Sequence, residues 1–264
     1  MASNWLQATF GASQPLIGTI HLRPLPGSPR FAGDIKAVVD AAVQDATALA
    51  EGGFDGCIVE NFGDTPYFPD RVPPVTVAAL AVICAQVVHQ TRLPVGVNVL
   101  RNDALAALSV AAVVGARFIR VNVLAGAMVT DQGLIQGKAH ELMRLRSALG
   151  AELFVLADVL VKHAVPLGQV DMVRHGLDLL ERANADGLIV TGTATGEAPL
   201  PERLQLLRQS LPRAVLLVGS GVTAENAHQF LPFCDGFIVG TWLKEKEALS
   251  AQRVREFVRT VRRK

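Results

Sequence analysis

With 264 residues, half of them hydrophobic, the chain is long enough to bury a sizeable core without disulfides or a structural metal. Its 25 Lys and Arg against 24 Asp and Glu leave a formal charge of +1, so no basic field draws in nucleic-acid phosphates and nucleic acid is not an expected partner. Cys57, Cys84 and Cys234 are an odd number in apolar surroundings, which points to buried thiols in a reducing compartment.

Residues 1–14 read as an N-terminal extension. They carry no basic cluster followed by an apolar run, which argues against a secretory signal and for a cytoplasmic protein. Their apolar side chains, Trp5, Leu6 and Phe10, are expected to cap a barrel floor in preference to touching lipid.

Eight short apolar runs follow: Leu16 to Ile20, Gly56 to Glu60, Val95 to Val99, Phe118 to Val123, Leu153 to Val159, Gly187 to Thr191, Val215 to Gly219 and Gly236 to Gly240. Their length and unbroken Val/Ile/Leu content suit parallel strands covered on both faces. Between them lie stripes of helical period. Ile35, Val38, Val39, Ala42, Val43 and Leu49 form one, and Val254, Phe257, Val258 and Val261 form the last. Two longer apolar stretches, Val75 to Val88 and Ala104 to Ala116, fall short of the roughly 18 to 20 uncharged residues of a membrane span and read as buried helices.

Eight strand-helix units of about 33 residues each predict one α/β domain over residues 1–264, a single (β/α)8 TIM barrel. Asp186-Gly187 and Asp235-Gly236 punctuate the entry to two of the strands. A doubly wound open sheet is the structural alternative, but it wants a Gly-rich turn after its first strand, and Ile20-His21-Leu22-Arg23-Pro24 stands there.

In such a barrel the carboxyl ends of the strands build the site. These ends supply His21, Glu60, Asn98, Arg120 with Asn122, and Asp158 followed by Lys162 and His163. Alternation puts Arg120 and Asn122 on the face opposite Ile119, Val121 and Val123, so Arg120 points into the barrel and needs Glu60 or Asp158 as counter-charge. A purely structural ion pair is the plain alternative. His21, Glu60 and Asp158 are the candidate catalytic groups, and Asn98, Arg120, Asn122, Lys162 and His163 the candidate substrate-binding groups. Lys162 also has the residue type of a Schiff-base former, although a solvated loop lysine is the expected reading. No close pair of ligands marks a metal site, and no cofactor is identified.

The last three strands end differently. Gly192, Gly219, Ser220, Gly221, Gly240 and Thr241 let backbone amides approach an anion, and a short helix starting near Thr223 is expected to point at the same place. A phosphorylated small molecule or another anion is therefore the expected ligand.

Several stretches together resemble the BtpA/SgcQ family. They are Ile17-Gly18-Thr19-Ile20-His21-Leu22-Arg23-Pro24-Leu25-Pro26-Gly27-Ser28-Pro29, Val59-Glu60-Asn61-Phe62-Gly63-Asp64-Thr65-Pro66, Val97-Asn98-Val99-Leu100-Arg101-Asn102-Asp103, Phe118-Ile119-Arg120-Val121-Asn122-Val123-Leu124, Thr130-Asp131-Gln132-Gly133-Leu134-Ile135, and Leu156-Ala157-Asp158-Val159-Leu160-Val161-Lys162-His163-Ala164. The resemblance runs from about Pro15 onward. It implies a ribulose-phosphate-binding-like barrel and, in cyanobacteria, a factor for photosystem I biogenesis or stability that sits peripherally on the cytoplasmic face of thylakoid membranes, with photosystem I subunits as partners. The residues themselves leave open a cytoplasmic enzyme doing acid/base chemistry on a phosphorylated sugar or nucleotide-like molecule. Whether the chain forms a homo-oligomer is likewise open.

Overall fold

The computed structural model describes residues 4–246 and 248–262. Eight parallel strands close into a barrel: β1 (Leu16–His21), β2 (Gly56–Glu60), β3 (Val95–Asn98), β4 (Phe118–Val121), β5 (Phe154–Val159), β6 (Gly187–Val190), β7 (Leu216–Gly219) and β8 (Gly236–Val239). Each pairs with the next, and β8 pairs back to β1 through Leu16 opposite Phe237, which removes the open-sheet alternative. Helix α1 (Asn4–Phe10) precedes the barrel. Helices α2 (Ile35–Gly52), α3 (Pro74–Gln90), α4 (Ala104–Val114), α5 (Ala139–Ala148), α6 (Met172–Leu177), α7 (Pro201–Ser210) and α8 (Ala251–Arg262) follow the strands, with unit seven as the exception.

The expected helix near Thr223 does not form; a 3-10 turn, Ala227–Gln229, takes its place. Its N-terminal signal is present, since the Thr223 amide donates to Asn226 Oδ1 at 2.8 Å and the Asn226 amide to Thr223 Oγ1 at 3.3 Å. After one bond of helical span, the Ala227 amide to the Thr223 carbonyl at 3.1 Å, the spans shorten by a residue, Gln229 to Asn226 at 3.0 Å and Phe230 to Ala227 at 3.1 Å, and Pro232 has no amide to continue the turn.

Helix ends are set locally. Asp34 Oδ1 accepts the Ala37 amide at 3.0 Å and Asp103 Oδ1 the Ala106 amide at 2.9 Å, each filling an orphan donor of the first turn of α2 or α4. Gly53 ends α2 at φ 90°, a conformation costly for any residue with a Cβ. The apolar stretches around α3 and α4 are packed on the barrel, and among the described residues no helix is long and apolar enough to cross a membrane. Cys57, Cys84 and Cys234 are free and buried, and burial pushes the Cys57 thiol up to about 12.

Alternation along the strands separates two cores. Val59, Val97, Val121 and Val218 face the helices, whereas Ile17, Ile58, Phe118, Leu156, Ile189, Leu217 and Ile238 fill the barrel interior. Leu6 and Phe10 of α1 join the interior cluster from below. Phe10 meets Phe118 edge-on with ring centroids 5.5 Å apart, and Trp5 stacks on Phe154 at 4.2 Å. A side chain on Gly56 would stand 2.7 Å from the Phe10 ring, so the floor plug fits because β2 begins with glycine. Burying each such side chain is worth about 1.5–3 kcal/mol.

The same end shows a recurring device. Asp55, Asp186 and Asp235, each preceding a strand-opening glycine, accept the amides of Leu16, Val155 and Leu216 on the neighbouring strand, all at 2.8 Å. Each carboxylate also meets an arginine from a helix: Arg262, Arg146 and Arg208 respectively. Entry to β1, β5 and β7 is thereby tied to α8, α5 and α7.

Two additions lie outside the eightfold pattern. Gly133–Gln136, Ala127–Thr130 and Ala164–Pro166 make a three-stranded antiparallel sheet beyond β4 and β5. Lys244–Glu245 and Ala248–Leu249 make a small hairpin between β8 and α8.

Candidate functional site

Register brings the polar strand ends level: His21 lies opposite Glu60, and Glu60 opposite Asn98. Because Thr19, Ile58, Gly96, Phe118 and Leu156 share the inward face with them, His21, Glu60, Asn98, Arg120 and Asp158 rise from the apolar interior into the mouth of the barrel. Arg120 is buried, and its Nε and Nη2 donate to the two oxygens of Asp158 at 3.0 and 2.9 Å. Asn122 Nδ2 adds a third bond to Asp158 Oδ2 at 2.8 Å. Asn98 Nδ2 in turn donates to the Arg120 carbonyl at 3.0 Å and to Asn122 Oδ1 at 3.3 Å, while its own Oδ1 is buried with no partner among the described residues.

Glu60 is placed differently. Its oxygens stand 3.9 Å from Arg120 Nη1 and 3.8 Å from His21 Nε2, and among the described residues neither oxygen accepts a hydrogen bond. Of the two carboxylates in the mouth, Asp158 accepts three hydrogen bonds, while Glu60 keeps its acceptor capacity to spare. His21 stacks on Phe62 with centroids 4.3 Å apart. Burial, with Lys244, Lys162 and Arg120 nearby, holds its imidazole well below the ordinary histidine range, so it is neutral at pH 7. It can donate one N–H or accept a proton, but it is no imidazolium acid.

Loops from successive units are knitted together around this set. Asn61 Oδ1 accepts the Leu100 amide at 2.7 Å, Asp64 Oδ1 the Leu25 amide at 2.7 Å, and Asn102 Oδ1 the Val123 amide at 2.8 Å. The Glu60-Asn61-Phe62-Gly63-Asp64 and Arg101-Asn102-Asp103 stretches thus hold the rim in shape, with Glu60 and Arg101 turned to the cavity. Arg101 is buried, donates through Nη2 to the Lys162 carbonyl at 2.6 Å, and was not among the site residues read from the sequence.

Lys162 corrects the expectation of a solvated lysine: it is half-buried in the mouth with Glu60 and Arg120. Desolvation, reinforced by Arg120 and Arg101 and opposed by Glu60 and Asp158, lowers its ammonium below the usual lysine range. His163 sits on the exposed rim, where Nε2 accepts the Thr195 amide at 3.1 Å and closes the β5 loop against the β6 loop.

The glycine-rich ends divide by what fills the missing Cβ. Gly192 and Gly221 face the backbone of Glu197 and Ala198, at 2.1 and 2.0 Å from an added Cβ, so close packing of the β6 and β7 loops already demands glycine there. A Cβ added to Gly240 would stand 3.1 Å from the His21 ring, and one added to Gly219 would stand 3.1 Å from Ile189. Ser220, at φ 65°, has a buried hydroxyl with no partner among the described residues. Ser220, Gly221, Gly240 and Thr241 line one small hollow together with His21, Glu60, Arg120 and Lys162.

That hollow shares lining residues with two larger ones, Glu60, Arg120 and Lys162 with the first and His21 and Thr241 with the second. A cavity of about 570 Å³ over β2 to β5 is lined by Glu60, Phe62, Tyr67, Arg101, Arg120, Asn122, Lys162 and His163. Another of about 690 Å³ over β1 and β8 is lined by His21, Arg23, Arg30, Lys244, Lys246 and Arg253, and among the described residues no carboxylate lines it. These cations escaped sequence reading because they come from opposite ends of the chain.

Comparison with known proteins places this architecture. Among solved structures, the chain is similar to native KDPGal (TM-score 0.61, 17% identity, covering 95% of this chain and 96% of that one). It is also similar to N-(5'-phosphoribosyl)anthranilate isomerase of Pyrococcus furiosus (TM-score 0.59, 14% identity, 94% and 98% covered), a likeness of fold. In sequence it is 47% identical to the photosystem I biogenesis protein BtpA of Synechocystis over 254 residues, covering 95% of this chain and 88% of that protein. It is 48% identical to an uncharacterised protein of Thermococcus kodakarensis, covering 93% and 94%, and 34% identical to a mitochondrial protein of Caenorhabditis elegans, covering 96% and 95%. The BtpA family profile matches residues 12–263, and the chain belongs to the BtpA family.

Proposed function

We propose that the barrel mouth binds a phosphorylated small molecule and performs acid/base chemistry on it. The observation that carries this reading is one hollow shared by Glu60, His21, Arg120 and Lys162 on one side and Ser220, Gly221, Gly240 and Thr241 on the other. In this reading Gly192, Gly219, Ser220, Gly221, Gly240 and Thr241 form the phosphate end, Gly192 and Gly219 by shaping the loops that carry the amides. Glu60 carries the proton, since Asp158 is already held by three hydrogen bonds from Arg120 and Asn122. Neutral His21 relays to Glu60, and Asn98, Arg120 and Asn122 orient the reacting part. His163 holds the rim loop.

The test is a thermal-shift series with inorganic phosphate, pentose phosphates and nucleotides. A ligand at one hundred times its Kd stabilises the folded state by about 2.7 kcal/mol, which raises the melting temperature measurably. A Glu60→Gln variant is expected to keep that shift and lose turnover. Absence of a shift with every phosphorylated compound overturns the reading.

A second reading is favoured by the 47% identity to the Synechocystis protein: a role in photosystem I biogenesis or stabilisation, peripheral on the cytoplasmic face of thylakoids. Leu134, Val129 and Val165 lie directly across from one another on the three-stranded sheet, all exposed, and offer a surface for a protein partner. Co-purification with solubilised photosystem I, lost in Val165→Asp and kept in Glu60→Gln, supports this role. Full biological activity of a Glu60→Gln plus Asp158→Asn variant would assign that role to a scaffold alone.

A further inference from the structure

The loop after β5 is built at a conformational cost that a solvent-facing lysine would not require. Leu160 and His163, on either side of Lys162, both take left-handed backbone, with φ 55° and 56°, a region unfavourable for residues with a Cβ. Three bonds hold them there: Arg101 Nη2 to the Lys162 carbonyl, the His163 amide to the Thr193 carbonyl at 3.0 Å, and the Thr195 amide to His163 Nε2. Val161 is buried with Val123, Met128 and Ile135, which leaves Lys162 on the opposite side, in the barrel mouth. Glu60 and Asp158 act on its ammonium by charge alone, with no side-chain hydrogen bond to either. The fold therefore spends a restrained loop on holding one amine beside a carboxylate that accepts no hydrogen bond.

We propose that Lys162 Nζ is an imine-forming amine that condenses with the carbonyl carbon of an aldehyde or ketone held in the mouth. The proposal rests on the preceding reading in one respect, that the carbonyl compound carries a phosphate seated against Ser220, Gly221, Gly240 and Thr241. The Nζ lone pair adds to the carbonyl carbon while the carbonyl π pair moves to oxygen, which takes up a proton. The carbinolamine then expels that oxygen as water as the nitrogen pair forms C=N, so amine plus carbonyl becomes imine plus one water. Glu60 is positioned to receive the proton lost from nitrogen and return it to the departing hydroxyl. Desolvation and the cations Arg120 and Arg101 favour the neutral, nucleophilic amine, whereas Asp158 and Glu60 limit that effect. Arg120 is paired with Asp158, so it does not compete for Glu60 at hydrogen-bond distance.

Pyridoxal 5'-phosphate, a phosphorylated aldehyde, is the probe. The full-length protein is treated with it across a pH series, reduced with borohydride and mapped by peptide mass spectrometry. Lys162 is expected to be labelled at least about tenfold faster than exposed Lys36, as an amine activated by desolvation is. Its labelling should reach half its maximum at lower pH than that of Lys36, and excess inorganic phosphate should suppress it. Lys162→Arg, which keeps the positive charge, should lose this fast label and still melt higher with phosphate. Labelling of Lys162 no faster than Lys36, in protein whose melting temperature responds to phosphate, overturns the imine and leaves the phosphate reading standing. Fast labelling of Lys162 by pyridoxal without its phosphate, unprotected by inorganic phosphate, supports the amine and removes the phosphate reading.

Discussion

Arg120 and Asp158 face each other from neighbouring strands inside the barrel, two nitrogens on two oxygens at 3.0 and 2.9 Å, with Asn122 completing the carboxylate's shell. Removing one partner leaves a buried guanidinium with Glu60 as its remaining counter-charge, 3.9 Å away. Asp158→Asn is therefore expected to lower unfolding free energy by about 3–5 kcal/mol in urea titrations. Glu60→Gln, which breaks no hydrogen bond of the protein and leaves Arg120 its bonds to Asp158, should cost clearly less. The double variant Arg120→Met plus Asp158→Leu should be more stable than Asp158→Asn, because the desolvation cost of both charges goes with them. Equal losses for Asp158→Asn and Glu60→Gln would contradict the distinction drawn between the two carboxylates.

Stability should fall on mild acidification. His175 is buried and His21 largely so, and desolvation lowers both imidazoles, so below the ordinary histidine value near 6.5 the unfolded chain binds protons that the folded chain refuses. The folded state is therefore favoured fully above that value and progressively less as pH drops toward the lowered folded values. Urea midpoints at pH 7.5, 6 and 5 check this: they should decrease in that order, and the decrease should shrink in His21→Gln. A midpoint that rises toward pH 5 would show that these imidazoles are protonated in the fold.

The floor plug gives a third expectation. Phe10 packs on Phe118 and over Gly56, so Phe10→Ala opens a cavity under the interior cluster and should cost roughly 3–5 kcal/mol, read as a lower thermal midpoint with one cooperative transition. Exposed Gln7→Ala on the same helix should change little. If both variants melt together with the wild type, α1 contributes nothing to the barrel.

The barrel was legible because each strand is a short unbroken apolar run, and runs such as Gly236 to Val239 have few other ways to bury both faces. The inward set was legible from period two alone: once Ile119 and Val121 face the helices, Arg120 has to face the interior. The three-stranded addition was not, since Ala127–Thr130 is four residues long and its partner Ala164–Pro166 contains a proline, so neither stands out from loop. The Thr223 stretch carries the residues of a helix start, yet the chain there makes only the 3-10 turn Ala227–Gln229, so that expectation failed. Lys162 was misjudged because its burial depends on Arg101 and Thr193, which are distant in sequence, and on two left-handed residues that no pattern announces. The glycines at 192 and 221 were visible, but their packing against Glu197 and Ala198 was not.

Leu6, Phe10 and Phe118 shut the lower end of the cylinder, and that gives the upper end an unshared duty. Among the described residues the mouth is then the doorway, and what settles over Arg120 departs across the threshold by which it arrived. The loops tied together by Asn61, Asp64 and Asn102 then act as the doorframe through which all traffic is ordered.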